Sequence, residues 1–194
     1  MKNLLFVLLI CCYSIVYGQS NYNTSIDSLP SISISGSSTL HGWTVTAGEV
    51  TDFPKNLTFS LEEDQTIDSF SFAVTVMSLD GGRGASMNGK IHKALQATTS
   101  PTIVYTQTQP ATLVKQADQW TLSSTGSLAM AGKEKDITVD VQLEQQKGHI
   151  IFKGSKDLKM SDFEMTPPSA MFGQIQTHDD ITVHFEFRYL VGNE

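Results

Sequence analysis

Near the C-terminus, Ile181, Val183, Phe185, Phe187 and Tyr189 alternate without a break against Thr182, His184, Glu186 and Arg188. A side-chain period of two puts apolar groups on one face of a strand and polar groups on the other, whereas the helical period would scatter them around an axis. The run is therefore a strand with one buried face, and it needs other strands to bury that face against.

The same period recurs along the chain. Ile32 and Ile34 alternate with serines; Trp43, Val45 and Ala47 with threonines. Leu57, Phe59 and Leu61 share a face, as do Phe70, Phe72, Val74 and Val76. Ile103 and Tyr105, Trp120 and Leu122, then Ile137, Val139, Val141 and Leu143 continue the pattern, and Ile150 and Phe152 follow the Lys147-Gly148 turn. Gly81-Gly82, Gln109-Pro110, Ala131-Gly132 and Pro167-Pro168 punctuate the runs. About eight such strands predict an all-β domain, an antiparallel barrel or sandwich; closing a barrel removes the edges that would otherwise aggregate. A barrel of that size either fills with side chains or holds one small ligand.

Two segments depart from alternation. Met87, Ile91 and Leu95 recur every four residues with Ala94 beside them, which predicts one short amphipathic helix from about Ser86 to Ala97. Ser86 is the expected cap, and Lys90, His92 and Lys93 are expected to face away from the apolar stripe. Asp162 to Gly173 reads as a long apolar loop carrying Phe163, Met165, Met171 and Phe172.

The N-terminus reads as a secretory signal peptide, residues 1–18: a charged Lys2, an apolar run from Leu4 to Ile10, and Gly18 at the cut. The run is too short to span a bilayer, which takes about 20 apolar residues. Cleavage removes Cys11 and Cys12, so the mature chain contains no thiol for a disulfide or metal. Residues 19–30 read as a flexible polar arm, and residues 31–194 as the barrel domain. The formal charge is −7, with no Lys/Arg cluster along the sequence, which disfavours nucleic acid and anionic membrane surfaces.

Several segments, taken in order, resemble the YceI-like proteins. They are Gly36-Ser37-Ser38-Thr39-Leu40-His41-Gly42-Trp43; Met87 to Leu95 with Ser100-Pro101-Thr102-Ile103-Val104-Tyr105; Gly126-Ser127-Leu128-Ala129-Met130-Ala131-Gly132; and Phe152 to Phe163 with Pro167-Pro168 and Phe172-Gly173. The likeness covers about Ser33 to Tyr189. It implies an eight-stranded antiparallel lipocalin-like β-barrel with one short helix. It further implies export to the periplasm, frequent homodimers, and binding of a long-chain apolar lipid, a polyisoprenoid or fatty-acid derivative, inside the barrel. Asn88 and Gly89 stand where many relatives carry an acidic residue and more bulk.

A lipid tunnel needs an apolar lining with a few polar groups at one end. Trp43, Phe70, Phe72, Val74 and Val76 are the candidates for the wall, Met87, Ile91 and Leu95 for the helix side, and Phe163, Met165, Met171 and Phe172 for the mouth. The competing reading is a filled barrel that acts as an interaction or stress-related protein. His41 and His92 read as a turn histidine and a solvated helix histidine. His178-Asp179-Asp180 reads as a tight turn before the last strand, not as a metal site. No G-x-S-x-G elbow, H-E-x-x-H helix or phosphate-binding loop occurs, so neither catalytic residues nor a cofactor are assigned.

Overall fold

The computed structural model describes residues 21–192, so the expected signal peptide lies outside the described residues. In chain order the strands are β1 Asn21–Ile26, β2 Ser31–Ser38, β3 Gly42–Ala47, β4 Val50–Thr51, β5 Asn56–Ser60, β6 Thr66–Ile67, β7 Ser71–Thr75, β8 Leu79–Asp80, β9 Thr102–Gln107, β10 Ala111–Gln116, β11 Gln119–Met130, β12 Lys133–Gln146, β13 His149–Lys159, β14 Ser169–Ala170 and β15 Ile175–Val191. The helix α1, Ala85–Ala94, lies between β8 and β9.

These fifteen segments are fewer than fifteen strands in any physical sense. The C-terminal end of β15 pairs with β1 (Ile26↔Tyr189) and its middle with β2 (Ile34↔Val183), so β1 and β2 are one run broken around Pro30. Proline has no N–H to give the ladder. In the same way β11 pairs with β10 (Leu113↔Leu122) and then β9 (Tyr105↔Leu128), a run broken at Pro110. Beside β1, β5 extends the run that begins with β3 and β4, and β6 beside β10 extends the run of β7 and β8.

Closure depends on one junction. β3 pairs with β8 (Ala47↔Leu79), and β4 pairs with β7 (Val50↔Val74), with a register slip between them at Gly48 and Glu49. The N–H of Gly48 donates to Ser78 O (3.0 Å) and that of Thr75 to Glu49 O (3.2 Å), which carries the ladder across the slip. The order β4-β7-β9-β11-β12-β13-β15-β2-β3-β8 therefore starts and finishes on the same two runs. The result is a curled, antiparallel, up-and-down barrel of eight runs, as the alternation predicts. The extra segments come from prolines and bulges, which alternation does not register.

One correction concerns the start of the domain. Residues 21–26, read from sequence as part of a polar arm, form β1 and are hydrogen-bonded on both sides, to β15 and β5. Thr24 is buried, and its hydroxyl donates to Leu57 O (2.9 Å). A polar sequence makes a strand here because its neighbours supply the ladder.

The barrel end next to β1 and β5 is packed solid with aromatic rings. Phe152 meets Tyr189 and Phe59 edge-on, and Phe187 contacts Phe53, Phe70, Phe72 and Phe185. Tyr189 is fully buried, with its hydroxyl donating to Pro54 O (2.8 Å). Burying one such ring is worth roughly 1.5–3 kcal/mol. A partly exposed ion pair such as Lys153–Glu144, at this end, is worth about 0–1 kcal/mol, so the plug outweighs the surface charge here. The opposite end is covered by α1 and the segment 160–175.

Candidate ligand-binding cavity

At the α1 end the interior is not filled. Leu95 N–H closes the last helical turn on Ile91 O (3.0 Å), and Gln96 (φ 55) turns the chain back toward β9. The helix begins at Gly84 (φ 79, ψ −176), with no side-chain cap. Ser86, expected as the cap, is inside the first turn, because the Gly81-Gly84 stretch makes the entry with backbone alone.

Two contacts fix α1 to the barrel rim. Asn88 Oδ1 accepts the N–H of Gly81 (2.9 Å), and a His92 ring N–H donates to Leu79 O (3.1 Å). His92 is thus a tether, not the solvated side chain expected from sequence. Gly81 permits the close approach: a Cβ there would lie 2.8 Å from Met87 Cγ and 3.0 Å from Ile91 Cδ1.

Under the helix lies an outer chamber of about 240 Å³. Its wall combines Met87 and Ile91 of α1 and Leu95 just after it with Val45 and Trp43 of β3, Met160 and Met165 of the 160–175 segment, and Ala170 of β14. Deeper in the barrel is an inner chamber of about 120 Å³, walled by Phe70, Phe72, Val74, Ile103, Val139 and Phe185 among others. Both linings are almost wholly apolar. Ile34, Met130 and Ile181 line both chambers and so form the neck between them.

Of the three polar side chains lining the inner chamber, Tyr105, Ser124 and Lys156, the first two are already satisfied. Tyr105 OH donates to Ser124 Oγ (2.7 Å), which donates to Gln107 Oε1 (3.3 Å). The Gln107 amide donates in turn to Ile67 O (2.6 Å) and Gln109 O (2.8 Å). Burial pushes the Tyr105 phenol up, partly offset by its bond to Ser124. Apart from Lys156, this chamber offers a guest only hydrocarbon. The outer chamber differs: His41, Arg83 and Lys90 stand at its mouth, and Arg83 Nη1 donates to His41 Nε2 (2.8 Å).

The residues singled out from sequence divide among several places. Trp43, Met87, Ile91, Leu95 and Met165 line the outer chamber, and Phe70, Phe72 and Val74 the inner one. Val76 and Phe163 are packed into the core and line neither. Met171 and Phe172 are exposed on a tight turn, each with positive φ (51° and 53°), and point away from both chambers. Ile34, Met130 and Ile181 were not singled out, although each sits in an alternating run or motif; only ring closure brings them together. Lys90 is a correction: it lines the outer chamber instead of facing away. Intervals of four overlook it, whereas the i, i+3, i+4 rule places it between Met87 and Ile91. His178-Asp179-Asp180 is a second correction, since it lies within β15 and not in a turn. There Asp179 accepts both the N–H (2.7 Å) and the hydroxyl (2.5 Å) of Ser161, which holds its carboxyl below the usual range. In the same segment Glu164 is bound to Lys133 (2.7 Å).

The YceI-like domain family model matches residues 23–189. The chain belongs to that family. Among solved structures, the chain is similar to BcnA of Burkholderia cenocepacia, at 16% identity and TM-score 0.62, covering 82% of this chain and 95% of that one. A polyisoprenoid binding domain from Saccharophagus degradans aligns at 11% identity and TM-score 0.60, over 89% of this chain and 100% of that one. The YceI protein of Campylobacter jejuni aligns at 17% identity and TM-score 0.55, over 77% and 85%. At these identities the likeness is one of fold. No curated protein sequence matches the chain.

Proposed function

We propose that this YceI-like protein is an exported binding or carrier protein for a long-chain apolar lipid, a polyisoprenoid or fatty-acid derivative, and has no chemistry of its own. The observation that carries the reading is the pair of apolar chambers meeting at Ile34, Met130 and Ile181, in a barrel whose far end is sealed by aromatic rings. A linear chain is the shape that such a space accepts: it enters under α1 and threads the neck. A filled-barrel protein would have no use for unfilled volume, since voids lose dispersion contacts and weaken the core. The polyisoprenoid binding domain among the structural neighbours supports the same class of ligand. Export rests on the signal-like N-terminus and on the family.

Native mass spectrometry of the protein, purified from periplasm without detergent and followed by lipid extraction, tests the reading. The expected result is a bound species of long-chain lipid mass, released on unfolding. A barrel that is repeatedly empty, and that takes up neither isoprenoid alcohols nor fatty amides, would sink it.

A further inference from the structure

The mouth of the outer chamber carries cations that an apolar guest does not need. On α1 and its C-terminal cap the chamber-facing stripe is Met87, Lys90, Ile91, Ala94 and Leu95. This is the spacing of a continuous apolar stripe, with one lysine set into it. Covering an ammonium with hydrocarbon alone is costly, because the charged form loses its water and gains no partner. Arg83, just ahead of α1, lines the same chamber, with its guanidinium directed to His41. The tautomer of His41 that donates from Nδ1 to Gly42 O (2.7 Å) leaves Nε2 free to accept from Arg83. A neutral acceptor therefore orients the guanidinium without cancelling its charge.

Nothing anionic nearby performs that cancellation. Among the described residues, neither Arg83 nor Lys90 forms an ion pair with a carboxylate. The Asp80 carboxylate is occupied by the Gly82 N–H (2.9 Å) and by Asn88, which also lower its pKa. Glu164 is held by Lys133. Both cations thus stand on the lip of an apolar chamber with no carboxylate among the described residues paired to them.

We propose that the outer chamber selects amphiphiles with an oxyanion head, a carboxylate or a phosphate, bound by Arg83 and Lys90 while the tail runs inward. This rests on the lipid-binding reading above and adds the head-group class to it. The two cations suit the task in different ways. The guanidinium presents a planar fork to two oxygens, and the ammonium adds a compact charge from the stripe below. Hydrogen bonds of this charge-assisted kind are about twice as strong as neutral ones.

Matched ligand pairs test the inference: oleate against oleyl alcohol, and farnesyl phosphate against farnesol, with inorganic phosphate as the headless control, each titrated by calorimetry. For the unaltered protein, the anionic member of at least one pair is expected to bind at least about tenfold more tightly, a difference of about 1.4 kcal/mol. Which pair shows it tells carboxylate from phosphate. In the double variant Arg83→Gln/Lys90→Gln, checked for an unchanged melting temperature, that ratio is expected to collapse to under about threefold. The inference is overturned if alcohol and anion bind equally, if the ratio survives in the double variant, or if inorganic phosphate alone binds as tightly as the amphiphiles. Tight binding of the alcohols with no anion preference would overturn the head-group assignment and leave the lipid-binding reading standing. No uptake of any of the four amphiphiles would overturn both.

Discussion

Gly36 and Trp43 face one another across β2 and β3, and the indole occupies the space that a side chain at position 36 would need. The ring is fixed there by its own Nε1–H, which donates to Ser37 O (3.0 Å). Trp43 can line the outer chamber only because position 36 is bare.

Gly36→Ala should therefore push the indole off the strand pair. Overpacking of this kind costs about 1–3 kcal/mol. Urea unfolding followed by circular dichroism should show that loss, together with a shift in Trp43 emission; unchanged stability would mean that the ring moves freely.

Met130 is the one unbranched, flexible side chain among the three neck residues and is buried. Met130→Trp should separate the chambers. Long-chain lipids should lose at least about tenfold in affinity, while chains short enough for the outer chamber keep theirs. Thermal melts run in parallel distinguish a blocked neck from a fold weakened by overpacking.

Ser124 is the centre of the buried hydrogen-bond chain from Tyr105 to Gln107. Ser124→Ala leaves a phenol hydrogen and an amide oxygen without a partner in an apolar interior. The expected loss is about 1–3 kcal/mol in chemical denaturation. Tyr105→Phe made on top of it should recover part of that loss, because it removes one of the stranded groups.

Burial raises the Tyr189 phenol well above its ordinary value near 10, and Tyr105 moves in the same direction. Above about pH 10 the unfolded chain releases these protons while the folded protein keeps them. The folded state then holds more protons, so stability falls as pH rises. The contribution is fully present below pH 10 and is lost as pH climbs toward the folded-state values. Urea midpoints between pH 8 and 11.5 should decline, and Tyr189→Phe should decline less steeply, though from a lower start because the bond to Pro54 is gone.

Much of the barrel wall was legible before any fold was considered. The face of Phe70, Phe72 and Val74 and the faces of β12 and β15 follow from alternation, which is a local property of extended backbone. Residues 21–26 were misread because their polar sequence carries no such signal; they are strand by virtue of β15 and β5. Met171 and Phe172 were misplaced because apolarity marks burial only on average, and the turn at Ala170–Gly173 directs both outward. Lys90 was misassigned by reading a period of four where a helix uses 3.6.

The sequence by itself determined which faces are apolar, where the one helix falls and where the chain turns, since sterics and side-chain spacing within a few residues decide these. It could not determine whether the interior would be full. Unfilled volume depends on how the register slip at Gly48 and Glu49, the aromatic plug and α1 together set the width of the ring, and each of these joins residues far apart in the chain. The meeting of Arg83 with His41, 42 residues away, is of the same kind. Tertiary structure alone brought a helix lysine, a loop arginine and a turn histidine to one rim, and that rim is where a ligand's head group would rest.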